Sequence, residues 1–214
     1  FELCNSLTSI AIPDSITTIA EDAFVSCKAL QSFTLSPNHP YFFLADGALC
    51  RTVDNTLLFY PNARENRTYR IPDGIAAISA YAFYDCDLLE SVVIPDSITQ
   101  IPERAFYGCS ALASVSLPDS LTEIGIAAFS FCAALTDIRL PASITEISAG
   151  LLSGCSSLAT LEIPDSVTII GGDAFVGCTS LTSMTIPDSV TEIGANPFPR
   201  SGLQSITLSL DNPT

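Results

Sequence analysis

Charge is scarce in this 214-residue chain. Asp, Glu, Lys and Arg make up 14% of it, and eight basic residues stand against 23 acidic ones, for a formal net charge of −15. A chain so poor in Lys and Arg is ill suited to neutralise a run of phosphates, which argues against nucleic acid and anionic membrane surfaces as partners. Long apolar runs are also missing. Although 48% of residues are hydrophobic and the mean hydropathy is +0.42, no uninterrupted stretch reaches the roughly 18 residues of a membrane span. No membrane insertion is expected in this segment, and the apolar residues are spaced for internal burial beneath a surface of Ser and Thr. Catalytic constellations are absent too. The single histidine, His39, sits between Asn38 and Pro40 with no nucleophile arrangement around it. There is no Gly-rich phosphate loop, no His/Cys metal spacing, and no carboxylate pair outside repeated rows. Neither an enzyme nor a cofactor or metal site is expected.

What the chain does contain is one pattern, copied. Pro recurs at 72, 95, 118, 141, 164 and 187, a step of 23. Cys86, Cys109, Cys132, Cys155 and Cys178 keep that step, as do Phe83, Phe106 and Phe129, then Phe175 and Phe198. Self-similarity at such a period means a solenoid, whose units bury their apolar faces only against neighbours. Regular units run over 13–35 and then over 72–208, six in the second block with the last one residue short. Residues 36–71 form one longer, irregular unit. The chain opens mid-repeat, since Phe1-Glu2-Leu3-Cys4 precedes Phe24-Val25-Ser26-Cys27 by 23 residues. Residues 209–214 read as the start of a truncated unit. We therefore expect a single array over 1–214, part of a longer protein, with targeting signals outside it.

Within the unit at 95–117, Leu112-x-x-Val115-x-Leu117 ends in the alternation of a short strand with one face buried. Stacked in register, these strands predict a parallel sheet along one side. Residues 99–101 suit a second short strand. Residues 105–109 are too few for a free-standing helix and are expected to form one helical or 3₁₀ turn that carries Phe inward.

The pattern LxxIxLPxSLxxIGxxAFxxC, closely matched over 135–155 and 158–178, resembles the leucine-rich repeat of the BspA-like bacterial surface proteins. The resemblance covers essentially the whole chain. It implies a leucine-rich repeat solenoid of right-handed coils with the parallel sheet on the concave face and short helical turns opposite. It also implies extracellular or cell-surface placement and adhesion, with a protein or glycan ligand of host origin among the partners. Departures occur where Leu151-Leu152 replaces Ala-Phe, a roughly volume-conserving swap. In the last unit, Pro197 replaces Ala and Ser201 replaces Cys, and a distorted coil is expected.

Cys27, Cys86, Cys109, Cys132, Cys155 and Cys178 hold one place in their units. Parallel Cβ vectors about 4.8 Å apart along a stack fall outside the Cβ separation of about 3.5–4.5 Å that a disulfide needs, and a straight row cannot surround a tetrahedral ion. They read as buried thiols acting as small apolar groups. Phe24, Phe83, Phe106, Phe129, Phe175 and Phe198 read as a core spine. Asp73, Asp96 and Asp119 follow the repeat Pro, where Asp can bond nearby backbone N–H groups in a turn. A row of them supplies too few converging oxygens for Ca²⁺.

Residues alternating with the buried strand positions point outward and are mostly hydroxyls. Charge enters at Asp137, Arg139 and Glu162, with Thr160 beside them. Two readings stand: a rung-to-rung Arg139–Glu162 ion pair, or a polar ligand patch. Residues 36–71 concentrate Arg51, Arg64, Arg67 and Arg70 with Tyr41, Phe42, Phe43, Phe59, Tyr60 and Tyr69. Residues 48–53 and 56–60 flank Asp54-Asn55, so a β-hairpin is expected to project from the array or lie across it. Its aromatics either anchor it or, with Tyr41, Phe43, Arg64 and Arg67, form an interaction surface. The functional expectation is a non-catalytic, macromolecule-binding surface module. The alternative is a spacer without a ligand.

Overall fold

The computed structural model describes residues 1–208; the stretch at 209–214, expected to begin a further unit, lies outside the described residues. The chain winds into a leucine-rich repeat solenoid carrying two rows of short parallel strands. The first row comes from the Leu-x-x-Val-x-Leu segments: Ser9–Ala11, Ser32–Thr34, Thr68–Arg70, Ser91–Val93, Ser114–Ser116, Ser183–Ile186 and Ser205–Leu208. The step of 23 is the register itself, with Ser91 opposite Ser114 and Val92 opposite Val115. Where the last unit is one residue short, Ser183 pairs with Ser205 instead. The second row runs through Gln100–Ile101, Glu123–Ile124, Glu146–Ile147, Ile169–Ile170 and Glu192–Ile193.

The expected helical turn at 105–109 is not one, and no helix occurs among the described residues. Alternate N–H groups close local turns, Ala105 to the Pro102 carbonyl, Tyr107 to Arg104 and Cys109 to Phe106. The N–H groups between them cross to the next coil, Arg104 to Ile126 (3.0 Å), Phe106 to Ala128 (2.8 Å) and Gly108 to Ser130 (2.8 Å). A helix would turn every donor inward; the stack takes half of them. From Phe83 to Phe198, left-handed residues bracket each such turn two positions before and after the core residue, as at Arg104 (φ 52°) and Gly108 (φ 74°), and this breaks helical propagation.

The interior is a long close-packed column with a smaller core beside the first coils. Phe83, Phe106 and Phe129 stack in parallel at 4.7 and 5.2 Å between centroids. Phe175 stacks on the half-buried Phe198 at 5.5 Å, and Phe24 on Phe1 at 5.5 Å. All eight cysteines are free, and all but Cys4 are buried. The thiols do more than fill space. In the cysteine row the Sγ–H donates to the carbonyl of the spine residue one coil back: Cys109 to Phe83 (3.0 Å), Cys132 to Phe106 (3.2 Å), Cys155 to Phe129 (3.2 Å) and Cys178 to Leu152 (3.1 Å). Burial pushes the thiols of Cys132, Cys155 and Cys178 up, Cys178 to about 11 and the other two further, so these three stay protonated and unreactive.

The Pro-Asp-Ser turn also divides its labour differently from the expectation. It closes through its own backbone, Ile98 N–H to the Pro95 carbonyl at 3.0 Å. The serine hydroxyl then donates one coil back, Ser97 to Ile75 (2.7 Å), Ser120 to Ile98 (3.2 Å) and Ser166 to Ile144 (2.6 Å). Asp73, Asp96 and Asp119 are exposed and accept no backbone N–H. The side chain that turns inward at this corner is the serine.

The irregular unit stands between the two cores and joins the long one at Tyr60. Tyr60 lies 23 residues before Phe83, stacks on it at 5.4 Å, and donates its N–H to the Ala82 carbonyl, as Phe83, Phe106, Phe129 and Phe175 donate to the matching carbonyl one coil on. Cys86 points its thiol at the Tyr60 carbonyl, 3.7 Å away. Strands Phe42–Ala45, Ala48–Arg51 and Thr56–Phe59 form an antiparallel meander, and the last pairs in parallel with Ala77–Ile78. The expected hairpin across Asp54-Asn55 is there, lying across the array; a second, turning at Asp46-Gly47, was not foreseen. Both faces of the meander are covered. Leu49, Leu58 and Phe59 pack toward Phe24 and Phe33, whereas Ala48, Cys50, Leu57 and Tyr60 join the long core. His39 ties its entry down. The ring Nδ1 accepts the N–H of Phe42 at 3.2 Å, while Nε2–H donates to the Pro13 carbonyl at 3.2 Å.

Candidate interaction surfaces

Asp137, Arg139, Thr160 and Glu162 all stand exposed on the outer face of consecutive coils, but the backbone beneath them departs from the expected sheet. No backbone hydrogen bond joins residues 137–140 to 160–163, or either segment to the strands before and after. The coils stay locked on the opposite side, where the Ala127, Phe129 and Leu152 N–H groups each reach the next coil. At the front the coils still meet through the Ala159 N–H and the Thr136 carbonyl at 3.0 Å, and the strand row opens only beyond that bond, while the back remains closed. Two shallow, adjoining depressions occupy the opening. One of about 520 Å³ is lined by Asp137, Arg139, Thr160, Glu162, Asp165 and Ser166 among others. The other, of about 480 Å³, shares Thr160, Glu162 and Asp165 and continues to Thr185.

The rung-to-rung Arg139–Glu162 ion pair does not form. Arg139 instead reaches back to Asp119 at 3.7 Å, both side chains at least 80% exposed, a contact worth about 0–1 kcal/mol. Glu162 has no cationic partner among the described residues. Charge on this face is not confined to these coils either, since Arg70 aligns with Val93 in the first row. It is neutralised locally by Asp73 at 3.2 Å.

The irregular unit does not gather its arginines onto one free surface. Arg51 grips Asp54 through Nε and Nη2 at 2.6–3.1 Å, holding that carboxyl down at about 2. Arg64 donates to the Asp46 carbonyl and lies 5.9 Å over the Tyr60 ring, and Arg67 pairs with Glu90 one rung away. Tyr41 is exposed beside His39, whereas Phe43 is half-buried opposite Cys50. Phe42, Phe59, Tyr60 and Tyr69 are buried, so those four aromatics anchor the unit.

An aromatic strip on the turn side went unseen in the sequence. Tyr84 and Tyr107, each directly after a spine Phe, stack at 4.8 Å and 8°. Phe131 meets Tyr107 edge-on at 5.2 Å, and Tyr81 leans on Tyr84 at 5.8 Å. Arg104 lies 5.9 Å over Tyr81 and donates to its hydroxyl at 3.2 Å. The signal was present: Tyr84 and Tyr107 share the 23-residue step.

The comparisons agree with this architecture. The model of the BspA type leucine-rich repeat region matches in six copies, over residues 1–43 and 146–212, about half of the chain. No curated protein matches. Among solved structures, a leucine-rich repeat protein from Eubacterium ventriosum is 25% identical, with a TM-score of 0.82 over 94% of this chain and 60% of that one. A leucine rich cell surface protein from Faecalibacterium prausnitzii is 34% identical, with a TM-score of 0.63 over 95% of this chain and 48% of that one. A leucine-rich repeat protein from Bacteroides ovatus is 29% identical, with a TM-score of 0.59 over 91% and 55%. The chain thus spans about half to three-fifths of the length of these structures. With its 23-residue register, Phe spine and thiol ladder, the chain belongs to the BspA-type leucine-rich repeat family.

Proposed function

We propose that this segment is a non-catalytic, macromolecule-binding module of a bacterial surface or secreted protein, and that the opened strand row is where it binds. The observation that carries the reading is the coincidence at 137–140 and 160–163 of two departures from the repeat. There the ladder lapses, and there Asp137, Arg139 and Glu162 replace the hydroxyls found on most other rungs. Backbone without ladder partners over these residues offers free donors and acceptors, and the side chains above add both signs of charge. A polar protein segment or a glycan, of host origin, is the complement. Surface placement draws on the family and on the printed description of the Faecalibacterium prausnitzii relative.

The spacer reading retains one observation in its favour, the uniform Ser and Thr rungs elsewhere, as at Ser183 and Thr185. The two are separated by glycan arrays and by pull-down against defined extracellular matrix proteins. The wild-type chain is compared with a variant carrying Asp137→Asn, Arg139→Ala and Glu162→Gln. Binding lost in the variant supports the site. Equal binding by both, or by neither, removes it.

A further inference from the structure

A bulky aromatic is a costly choice for a left-handed position, and the turns of this repeat place two there, Tyr81 (φ 61°) and Phe131. Phe131 has φ 60° and is half exposed. The repeat itself imposes positive φ at this place: Gly108, Gly154 and Gly177 take it without penalty, Ser26, Asp85 and Arg200 take it as non-glycine residues, and Phe131 is the aromatic among them. The ring is also accommodated by its neighbour, because a Cβ on Gly154 would sit 2.7 Å from it. Core packing does not explain the residue, since Phe129 fills the spine of this coil and is fully buried. Phe131 ends the strip of Tyr81, Tyr84 and Tyr107 on three consecutive coils, on a face remote from the strand row.

We infer that this strip is a second interaction surface, which docks a protein partner through Arg or Lys side chains laid against its rings. Two observations select a cationic partner. Arg104 over Tyr81 shows that the strip already accepts a guanidinium on a ring face, an arrangement that gains strength once desolvated. The charge balance points the same way. Of eight basic side chains, six are held in ion pairs, so the acidic excess of the chain is left to steer a cationic surface inward. Tyr and Phe rings bring large contact area at low entropic cost, the usual make-up of an interface hot spot. This surface is independent of the strand-row site and stands or falls separately from it.

The test uses Phe131→Gly, which relieves the backbone strain and should leave the fold intact, as circular dichroism and thermal unfolding would show. Three synthetic helical peptides of equal length and apolar content carry Arg, Lys or Glu at their charged positions. They are titrated into isotope-labelled protein while amide shifts are followed. The expected result is that the Arg peptide shifts the amides of Tyr84, Tyr107 and Phe131. Phe131→Gly should weaken it roughly tenfold, and the Glu peptide should do nothing. Equal binding to wild type and variant overturns the inference, as do shifts confined to the exposed Asp turns or no binding by any peptide. Concentration-dependent self-association through the strip, read by sedimentation, would assign it to a second copy of the chain and overturn the inference as well.

Discussion

Replacing Cys132 with Ala should cost about 2 kcal/mol, and the structure says where the cost arises. The side chain is fully buried, and its Sγ–H donates to the Phe106 carbonyl at 3.2 Å. Removing one sulfur forfeits transfer free energy of about 1 kcal/mol, comparable to a buried methylene. The void adds roughly 0.5–1 kcal/mol, because the rings and leucines of adjoining coils cannot all move inward at once. The lost hydrogen bond adds only about 0.5 kcal/mol, since the Phe106 carbonyl still accepts the Cys109 N–H at 3.3 Å. For a chain of this size that is a fall of about 4–8 °C in Tm. Hydrogen exchange should show faster opening of the Cys109 amide and its neighbours than of coils several units away, because coupling in a solenoid runs between neighbours. Cys132→Ser then separates the two roles of the thiol. A hydroxyl keeps a donor, so Ser should cost no more than Ala. If Ser is worse than Ala by more than about 1 kcal/mol, the sulfur acts only as an apolar filler and the hydrogen-bond reasoning is wrong. If Ala is neutral, the ladder is not structural at all.

Two further outcomes follow from the same geometry. Ser120→Ala should destabilise by about 1 kcal/mol through loss of its bond to the Ile98 carbonyl, while its neighbour Asp119→Ala should stay within about 0.5 kcal/mol; chemical denaturation of both variants checks the division of labour in the Pro-Asp-Ser turn. Alkali should unfold the protein through its thiols. Burial lifts Cys178 to about 11 and Cys50 to about 12 in the folded chain against 9.0 ordinarily, so their stabilisation is complete below pH 9 and is lost as pH rises from there through those values. Stability measured against pH should be flat up to about 9 and fall above it, and a profile flat to pH 12 would contradict the burial argument.

The sequence made the stack legible because a solenoid converts sequence distance into spatial contact. Phe83 finds Phe106, and Val92 pairs with Val115, with no folding information beyond the step of 23. What it hid were features set by bond direction. Whether residues 105–109 become a helix depends on where each N–H points, and half of them are drawn to the next coil. The roles of Ser97 and Asp96 depend on which side chain faces inward at a corner, which composition does not record. The opening at 137–140 and 160–163 was invisible because Leu135, Ile138 and Leu140 keep the apolar pattern of a paired strand; only the charges at Asp137, Arg139 and Glu162 marked the place. The Arg139–Glu162 pairing failed since Asp119, one coil back, lies within its reach. The Asp46-Gly47 hairpin had a readable signal, an Asp-Gly pair between apolar runs. The aromatic strip had one too, in Tyr84 and Tyr107.

Tyr60, seated on Phe83 in the place of a spine ring, carries a consequence for how such chains diversify. The irregular unit has 36 residues where its sisters have 23, and the surplus is spent in the meander before the common pathway is rejoined at Tyr60. A coil that returns to its appointed ring can lengthen elsewhere without disturbing those on either side. Novel loops can thus be installed in one lineage after another while the column they hang from is inherited unchanged.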